Sequence, residues 1–180
     1  MAIQFAVFIG VSLDGFIARP DGGLDWLDPF HGEDHGYGGF FAGIDAVVIG
    51  RGTYDTVVGF PEWPYGGKRV IVFTGRAADP RHGEELWSGP PRELAERLER
   101  EGIRRVYLDG GALIRSFLQE SLVDEFTIDV VPIILGSGRP LFASGLPEMP
   151  LRFVESKSYP SGLVQIRYRR ANACSRASRS

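Results

Sequence analysis

Ala46-Val47-Val48-Ile49-Gly50-Arg51-Gly52-Thr53 is a short apolar run stopped by glycine, and a weak helical pattern starts near Thr53. The same arrangement recurs twice. Residues 70–73 form an apolar run closed by Thr74-Gly75. Residues 106–108 form another, closed by Asp109-Gly110-Gly111, and it opens onto residues 112–120, where Leu113, Ile114, Phe117 and Leu118 share one helical face. Between them, residues 91–101 begin with proline, carry Leu94 and Leu98, and hold acid–base pairs three to four apart, so an amphipathic helix is predicted.

Before these units, residues 3–13 are apolar at nearly every position, as in a strand covered on both faces. Asp14-Gly15 turns the chain, Phe16-Ile17-Ala18 resumes an extended pattern, and a second weak helix is predicted near Asp34. After them, residues 126–135 read as a strand with Pro132 marking a bulge or sheet edge. Residues 152–159 and 163–170 flank Pro160-Ser161-Gly162 as a hairpin. Strands alternating with helices and ending in strands alone predict an α/β fold with a largely parallel, helix-covered sheet and an antiparallel end.

Composition sets the outer bounds. The 180 residues match the roughly 100–200 of one domain, with no internal repeat or long linker. Hydrophobic residues at 43% and charged residues at 24% fit a soluble globule. A net charge of −3 gives no general attraction to nucleic acid or to an anionic membrane. The apolar runs fall short of a bilayer span and no secretory signal is evident, so a cytoplasmic protein is expected. Cys174 stands alone in a small, basic stretch over residues 171–180, which reads as a frayed tail, and one cysteine makes neither an internal disulfide nor a multi-cysteine zinc site. Glycine is the anomaly: 24 residues, close to twice ordinary usage, gathered at the ends of the apolar runs.

Ligands of an open α/β sheet bind beyond the carboxyl ends of its strands. Three such ends carry one chemistry here: Gly50-Arg51-Gly52-Thr53, Thr74-Gly75-Arg76 and Asp109-Gly110-Gly111-Ala112. Glycines let phosphate oxygens reach main-chain amides, and arginines supply bidentate donors. A single glycine pair is more often a tight turn, and a single arginine more often solvated surface. Three ends together bring a phosphate-bearing ligand to about even odds. Neither a Gly-x-Gly-x-x-Gly fingerprint nor a Walker lysine is present, and no nucleophile elbow, Cys–His pair or zinc motif supports hydrolysis. Asp14 and Asp34 are the acid–base candidates, although Asp34 also suits a helix cap. His31, Glu33 and His35 suggest a metal cluster, but such a loop is more often exposed surface, so no metal site is expected. Trp26 either lines a pocket or seals the core, the commoner fate.

Four segments carry a family resemblance: Ser12-Leu13-Asp14-Gly15-Phe16-Ile17-Ala18, Val48-Ile49-Gly50-Arg51-Gly52-Thr53-Tyr54, Asp109-Gly110-Gly111 with Phe117-Leu118 and Leu122-Val123-Asp124-Glu125, and Pro132-Ile133-Ile134-Leu135-Gly136-Ser137-Gly138 with Leu141-Phe142. In this order they resemble the dihydrofolate reductase-like superfamily. The closer resemblance is to the C-terminal reductase domain of the riboflavin biosynthesis deaminase-reductase, as a stand-alone member. The resemblance implies one three-layer domain over residues 1–170, with a mostly parallel central sheet, flanking helices and a C-terminal antiparallel hairpin, before a disordered tail at 171–180. It implies NADPH as hydride donor, with Gly50, Arg51 and Thr53 on the adenosine side and pyrophosphate, Thr74 and Arg76 near the 2′-phosphate, and Gly110, Gly111 and Ala112 on the pyrophosphate and nicotinamide side.

On the substrate side the resemblance implies Asp14 as a catalytic residue and Asp109, Trp26, Gly136 and Gly138 as substrate contacts. Asp34 falls where folate reductases place the carboxylate that helps protonate a pterin. Two positions depart from the riboflavin pattern: a lysine expected six residues before Asp14 is Phe8, and a glutamate expected before the glycine pair is Asp109. No Pro-Cys-x-x-Cys deaminase motif occurs. The expected activity is reduction of a small heterocyclic or ribosylated substrate, of the 5-amino-6-(5-phosphoribosylamino)uracil reductase type, by a homodimer. A pterin reductase and a non-catalytic nucleotide-binding module are the alternatives.

Overall fold

The computed structural model describes residues 2–171. The tail expected at 171–180, including Cys174, lies outside the described residues except for Ala171, whose N–H donates to the Pro150 carbonyl at 2.9 Å.

The apolar runs become strands of one eight-stranded sheet in the order β5-β4-β3-β6-β1-β7-β10-β9. In chain order these are β1 (Gln4–Ser12), β3 (Ala46–Gly50), β4 (Arg69–Phe73), β5 (Glu85–Trp87), β6 (Arg105–Asp109), β7 (Glu125–Val131), β9 (Leu151–Ser158) and β10 (Val164–Arg170). A separate pair joins β2 (Phe16–Ala18) to β8 (Arg139–Pro140). β5, β4, β3, β6, β1 and β7 run parallel to one another, while β10 is antiparallel to both β7 and β9. The mostly parallel sheet and antiparallel C-terminal hairpin are therefore as expected.

Period-two alternation sends each strand's residues into two different cores. Phe5, Val7, Val48, Ile71, Val106 and Leu108 pack under α3 (Pro91–Arg100) and α4 (Gly111–Gln119), whose Leu94, Leu98, Ile114 and Phe117 are fully buried. Each of those side chains contributes about 1.5–3 kcal/mol through burial. Val47, Ile49, Val70, Val72 and Tyr107 face the other way, beneath α1 (Tyr37–Ala42) and α2 (Arg51–Val57), with Phe8, Tyr37 and Phe40 packed against them. Asp109 follows Tyr107 by two residues, so it belongs to this second face.

Several local expectations are corrected. The strand predicted over 126–135 ends at Val131, because Pro132 lacks the N–H a ladder needs. Beyond it the chain turns, with the Ile133 N–H donating to the Val131 carbonyl at 2.8 Å. The helix predicted near Asp34 begins at Tyr37, after Gly36 adopts a left-handed conformation at φ 82°. β2 forms over the Phe16–Ala18 stretch expected to be extended, whereas β5 and β8, the partner of β2, were not foreseen, being too short to show an alternation pattern.

Candidate functional site

Because β4, β3, β6 and β1 are neighbours and parallel, their carboxyl ends share one rim of the sheet. A cleft of about 830 Å³ opens there. Its lining includes Gly50, Arg51, Thr53, Thr74, Arg76, Asp109, Gly110, Gly111 and Ala112, so the three glycine-rich strand ends converge on one space. The cleft has two chemically distinct halves.

The first half is made of main chain and arginine. α4 starts at Gly111 with Gly110 as its cap, and no side chain hydrogen-bonds that cap. Its first N–H groups thus face the cleft rim without an internal helical partner. Gly110 holds φ 114°, and a Cβ there would lie 2.5 Å from Thr53 Oγ1, so only glycine lets the β6–α4 turn sit against α2. A Cβ on Gly111 would meet Ile17 Cδ1 at 2.3 Å. At Gly52 and Gly75 a Cβ would instead meet nothing within 4 Å.

Four arginines line the cleft, Arg51, Arg76, Arg115 and Arg139, and Asp109 is the only carboxylate among the lining residues. Arg51 donates to Asp55 Oδ1 at 2.7 Å and to the Ala77 carbonyl at 2.6 Å, bracing the loop after β4. Arg115 donates to the Pro140 carbonyl at 2.8 Å. Arg76 and Arg139 have no side-chain hydrogen bond or ion pair among the described residues. Thr74, buried at the end of β4, accepts the Arg76 N–H at 3.1 Å and so fixes the turn that carries this arginine. In a chain of net charge −3, a cleft with this bias attracts anions.

The second half is aromatic. Phe8, Leu24, Leu27, Tyr37, Phe60, Pro64, Tyr65 and Tyr107 join Asp109 in the lining. Phe8 meets Tyr37 edge-on at 5.4 Å and Phe40 at 5.2 Å. Tyr65 is buried, and its hydroxyl donates to Asp109 Oδ2 at 2.6 Å. Tyr107, from the same strand as Asp109, donates to the Phe8 carbonyl at 3.1 Å. Burial pushes the Asp109 carboxyl above its ordinary range, and the Tyr65 and Tyr107 hydroxyls pull it partly back. Burial, with the Asp109 charge adding to it, drives the phenols of Tyr37, Tyr65 and Tyr107 upward. Tyr37, Tyr65, Tyr107, Arg115 and Arg139 were not singled out in the sequence. Only the Phe8 and Asp109 departures pointed to this half, since its aromatic members come from distant segments and make no local motif.

Five predicted site residues lie outside the cleft lining. Asp14 instead clamps two loops: its carboxylate accepts from Ser12 Oγ at 2.6 Å, Leu135 N at 3.0 Å and Gly136 N at 2.7 Å. Chiefly the Ser12 hydrogen bond lowers its pKa. Gly136 supplies one of those amides at φ 74°, and a Cβ on Gly138 would lie 2.3 Å from the Ala18 carbonyl. Two of the resembling segments, 12–18 and 132–138, thus hold each other in place. Asp34 accepts the Gly36 N–H at 2.8 Å and shapes the turn before α1. Trp26 is buried with Val131, Tyr159 and Leu163, the core-sealing fate. His31 is exposed, but His35 is not the surface residue expected: it packs on Tyr159 at 4.7 Å, between Glu33 and Asp129.

The model of the RibD C-terminal domain matches residues 5–165. The chain belongs to the RibD C-terminal domain family. YwjB of Bacillus subtilis, a protein described as uncharacterised, is 42% identical over 176 residues, covering 95% of this chain and 100% of its own. Riboflavin biosynthesis protein RibD of Corynebacterium ammoniagenes is 31% identical over 152 residues, 75% of this chain but 44% of that protein. Among solved structures, a protein from Shewanella sp. PV-4 assigned to riboflavin biosynthesis superposes with a TM-score of 0.87 at 34% identity, covering 94% of this chain and 100% of the other. Dihydrofolate reductase from Enterococcus faecalis, complexed with NADP(H), shares the fold with a TM-score of 0.67 at 14% identity, over 94% and 97% of the two chains. Among the described residues, no helix is long and apolar enough to cross a membrane.

Proposed function

We propose that this member of the RibD C-terminal domain family is an NADPH-dependent reductase of the riboflavin-pathway type, acting on a small planar heterocycle. The observation that carries this reading is the division of one cleft into a main-chain and arginine half and an aromatic half that meet at Asp109. A dinucleotide phosphate fits the first half on three grounds. α4 presents uncapped amides, Gly52 and Gly75 leave open space beside the main chain, and Arg76 and Arg139 have unengaged guanidinium groups. Gly110, Gly111 and Ala112 would hold the pyrophosphate, and Thr74 with Arg76 would meet the 2′-phosphate, with Arg51 bracing their loop. Bound there, the cofactor supplies hydride; the chain supplies position and electrostatics. Phe8, Tyr37 and Tyr65 would orient a flat ring against that hydride donor and keep water away from it.

The same geometry weighs on the narrower readings. A pterin reductase that depends on Asp34 gains no support, because that carboxylate is spent on the Gly36 turn and lies off the lining. With Phe8 where a lysine was expected, the aromatic half offers a ring platform in place of a cation. The arginines on the lining are then the groups left to receive a phosphate carried by the substrate. Homodimerisation is part of the proposal: β9 is exposed along its length at the sheet edge and bears Leu151, Phe153 and Val154.

Equilibrium titration tests the reading. NADPH should bind with quenching or enhancement of nicotinamide fluorescence, and NADH should bind more weakly by the missing phosphate contacts. Oxidation of bound NADPH by 5-amino-6-(5-phosphoribosylamino)uracil then tests the pathway assignment. Failure to bind NADPH at millimolar concentration defeats the reading.

A further inference from the structure

Asp109 differs from the other acids packed into this sheet. Asp124 meets Arg170 at 2.7 Å, Glu125 meets Arg105 at 2.8 Å, and Asp129 lies 3.7 Å from His35. Asp109 has no ion pair among the described residues, and its carboxyl faces phenols: Tyr65 in hydrogen-bond contact, with Tyr107 and Tyr37 beside it. It also stands at the junction of the two halves, where β6 ends and the glycine turn into α4 begins. A carboxyl in that position reaches a ring seated on the aromatic half and is adjacent to the amides assigned to the cofactor. An acid that only held the fold together would be expected to carry a cationic partner, as Asp124 and Glu125 do.

We propose that Asp109 is the proton donor of the reduction and that Tyr65 is the residue that positions it. This rests on the reductase reading above. As the carbon of a substrate C=N or C=O bond accepts hydride, the Asp109 O–H bond breaks and its proton passes to the nitrogen or oxygen. The double bond becomes a single bond bearing N–H or O–H, and NADPH is oxidised to NADP⁺. The Asp109 carboxylate left behind keeps the Tyr65 hydrogen bond and regains a proton from water entering the open cleft. A proton donor must be largely protonated at the working pH, and the apolar surroundings of Asp109 raise its pKa in that direction. Titratable and charged groups facing this carboxyl come from three directions: Tyr37 on α1, Tyr65 on the loop before β4, and Tyr107 on β6 itself.

The test has one readout on the protein without substrate and one on turnover. Infrared titration of the wild type against Asp109→Asn should show a carboxyl band, absent from the variant, that persists above the ordinary carboxylate range. In Tyr65→Phe the band should persist to higher pH still, because the hydrogen bond that stabilises the ionised form is gone. Disappearance of the Asp109 band within or below the ordinary range overturns the proposal, whatever the substrate. With NADPH and either 5-amino-6-(5-phosphoribosylamino)uracil or dihydrofolate as probe, Asp109→Asn should lower kcat by about 100-fold or more while NADPH binding persists, the usual scale of a general acid. Tyr65→Phe should move the alkaline limb of the kcat profile upward, which a merely structural tyrosine would not do. Near-wild-type kcat in Asp109→Asn overturns the proposal. Where neither probe is turned over, the infrared titration alone decides it. Loss of NADPH binding by the wild type would defeat the reductase reading instead, so the two failures are distinguishable.

Discussion

The two halves of the cleft are built by different means. The arginine half takes its shape from the main chain: three parallel strands end side by side, glycines close each end, and a helix starts without a side-chain cap. The aromatic half takes its shape from side chains: Phe8 from β1, Tyr37 from α1, Tyr65 from the loop before β4 and Tyr107 from β6. A backbone-built pocket recognises what dinucleotides share, phosphates and their spacing. A side-chain-built pocket is where substrates are told apart, because each wall can change without moving a strand.

That contrast predicts unequal costs of substitution. The largest effect should come from Gly110→Ala. The new methyl would fall 2.5 Å from Thr53 Oγ1 at a φ of 114°, so the β6–α4 turn must move. Strain of this kind costs about 1–3 kcal/mol before the clash is counted. Thermal unfolding should shift down and NADPH binding should be lost. A variant that kept wild-type affinity would break the claim that the main chain builds this half.

Arg76→Ala and Arg139→Ala should come next. Each removes an unengaged guanidinium from the lining, and loss of one charge-assisted phosphate contact, about 1.5–3 kcal/mol, weakens NADPH roughly 10- to 100-fold. The loss should shrink as salt is raised. If Arg76→Ala weakens NADPH and NADH equally, it does not meet the 2′-phosphate. Phe8→Lys should leave NADPH affinity nearly intact but change substrate preference, since it puts a cation where the aromatic half has none. A large loss of NADPH affinity in this variant would erase the boundary between the halves.

The smallest effect should be a gain. Burial raises the Asp109 pKa in the folded state, so its contribution to stability is fully present at pH below the unfolded value and is lost as pH rises through the folded value. Asp109→Asn removes that loss. Its melting temperature should therefore exceed the wild type's at neutral pH and approach it in acid. Equal or lower stability at neutral pH would mean that the carboxylate is well accommodated where it lies.

The same contrast explains what was legible in the sequence. Gly50, Gly110 and Gly111 sit immediately after apolar runs, so both the strands and their convergence could be read from local order. All eight residues assigned to the cofactor from these ends do line the cleft. Asp14 and Gly136 were legible as motifs, but a motif shows that residues matter without showing what they touch. Here the carboxylate of one is bound to the amide of the other at 2.7 Å. Tyr65 and Asp109 are 44 positions apart, and nothing local in either segment announces a 2.6 Å contact between them. Trp26 and His35 were likewise placed by distant partners, Leu163 and Tyr159 in one case and Asp129 in the other.

A crystal structure with NADP⁺ bound would examine the division of the cleft directly. The pyrophosphate should rest on the amides of Gly110, Gly111 and Ala112, the 2′-phosphate should meet Arg76, and the nicotinamide should face the space between Phe8 and Asp109. A dinucleotide lying across Phe8, Tyr37 and Tyr65, or one bound elsewhere on the chain, would contradict the account.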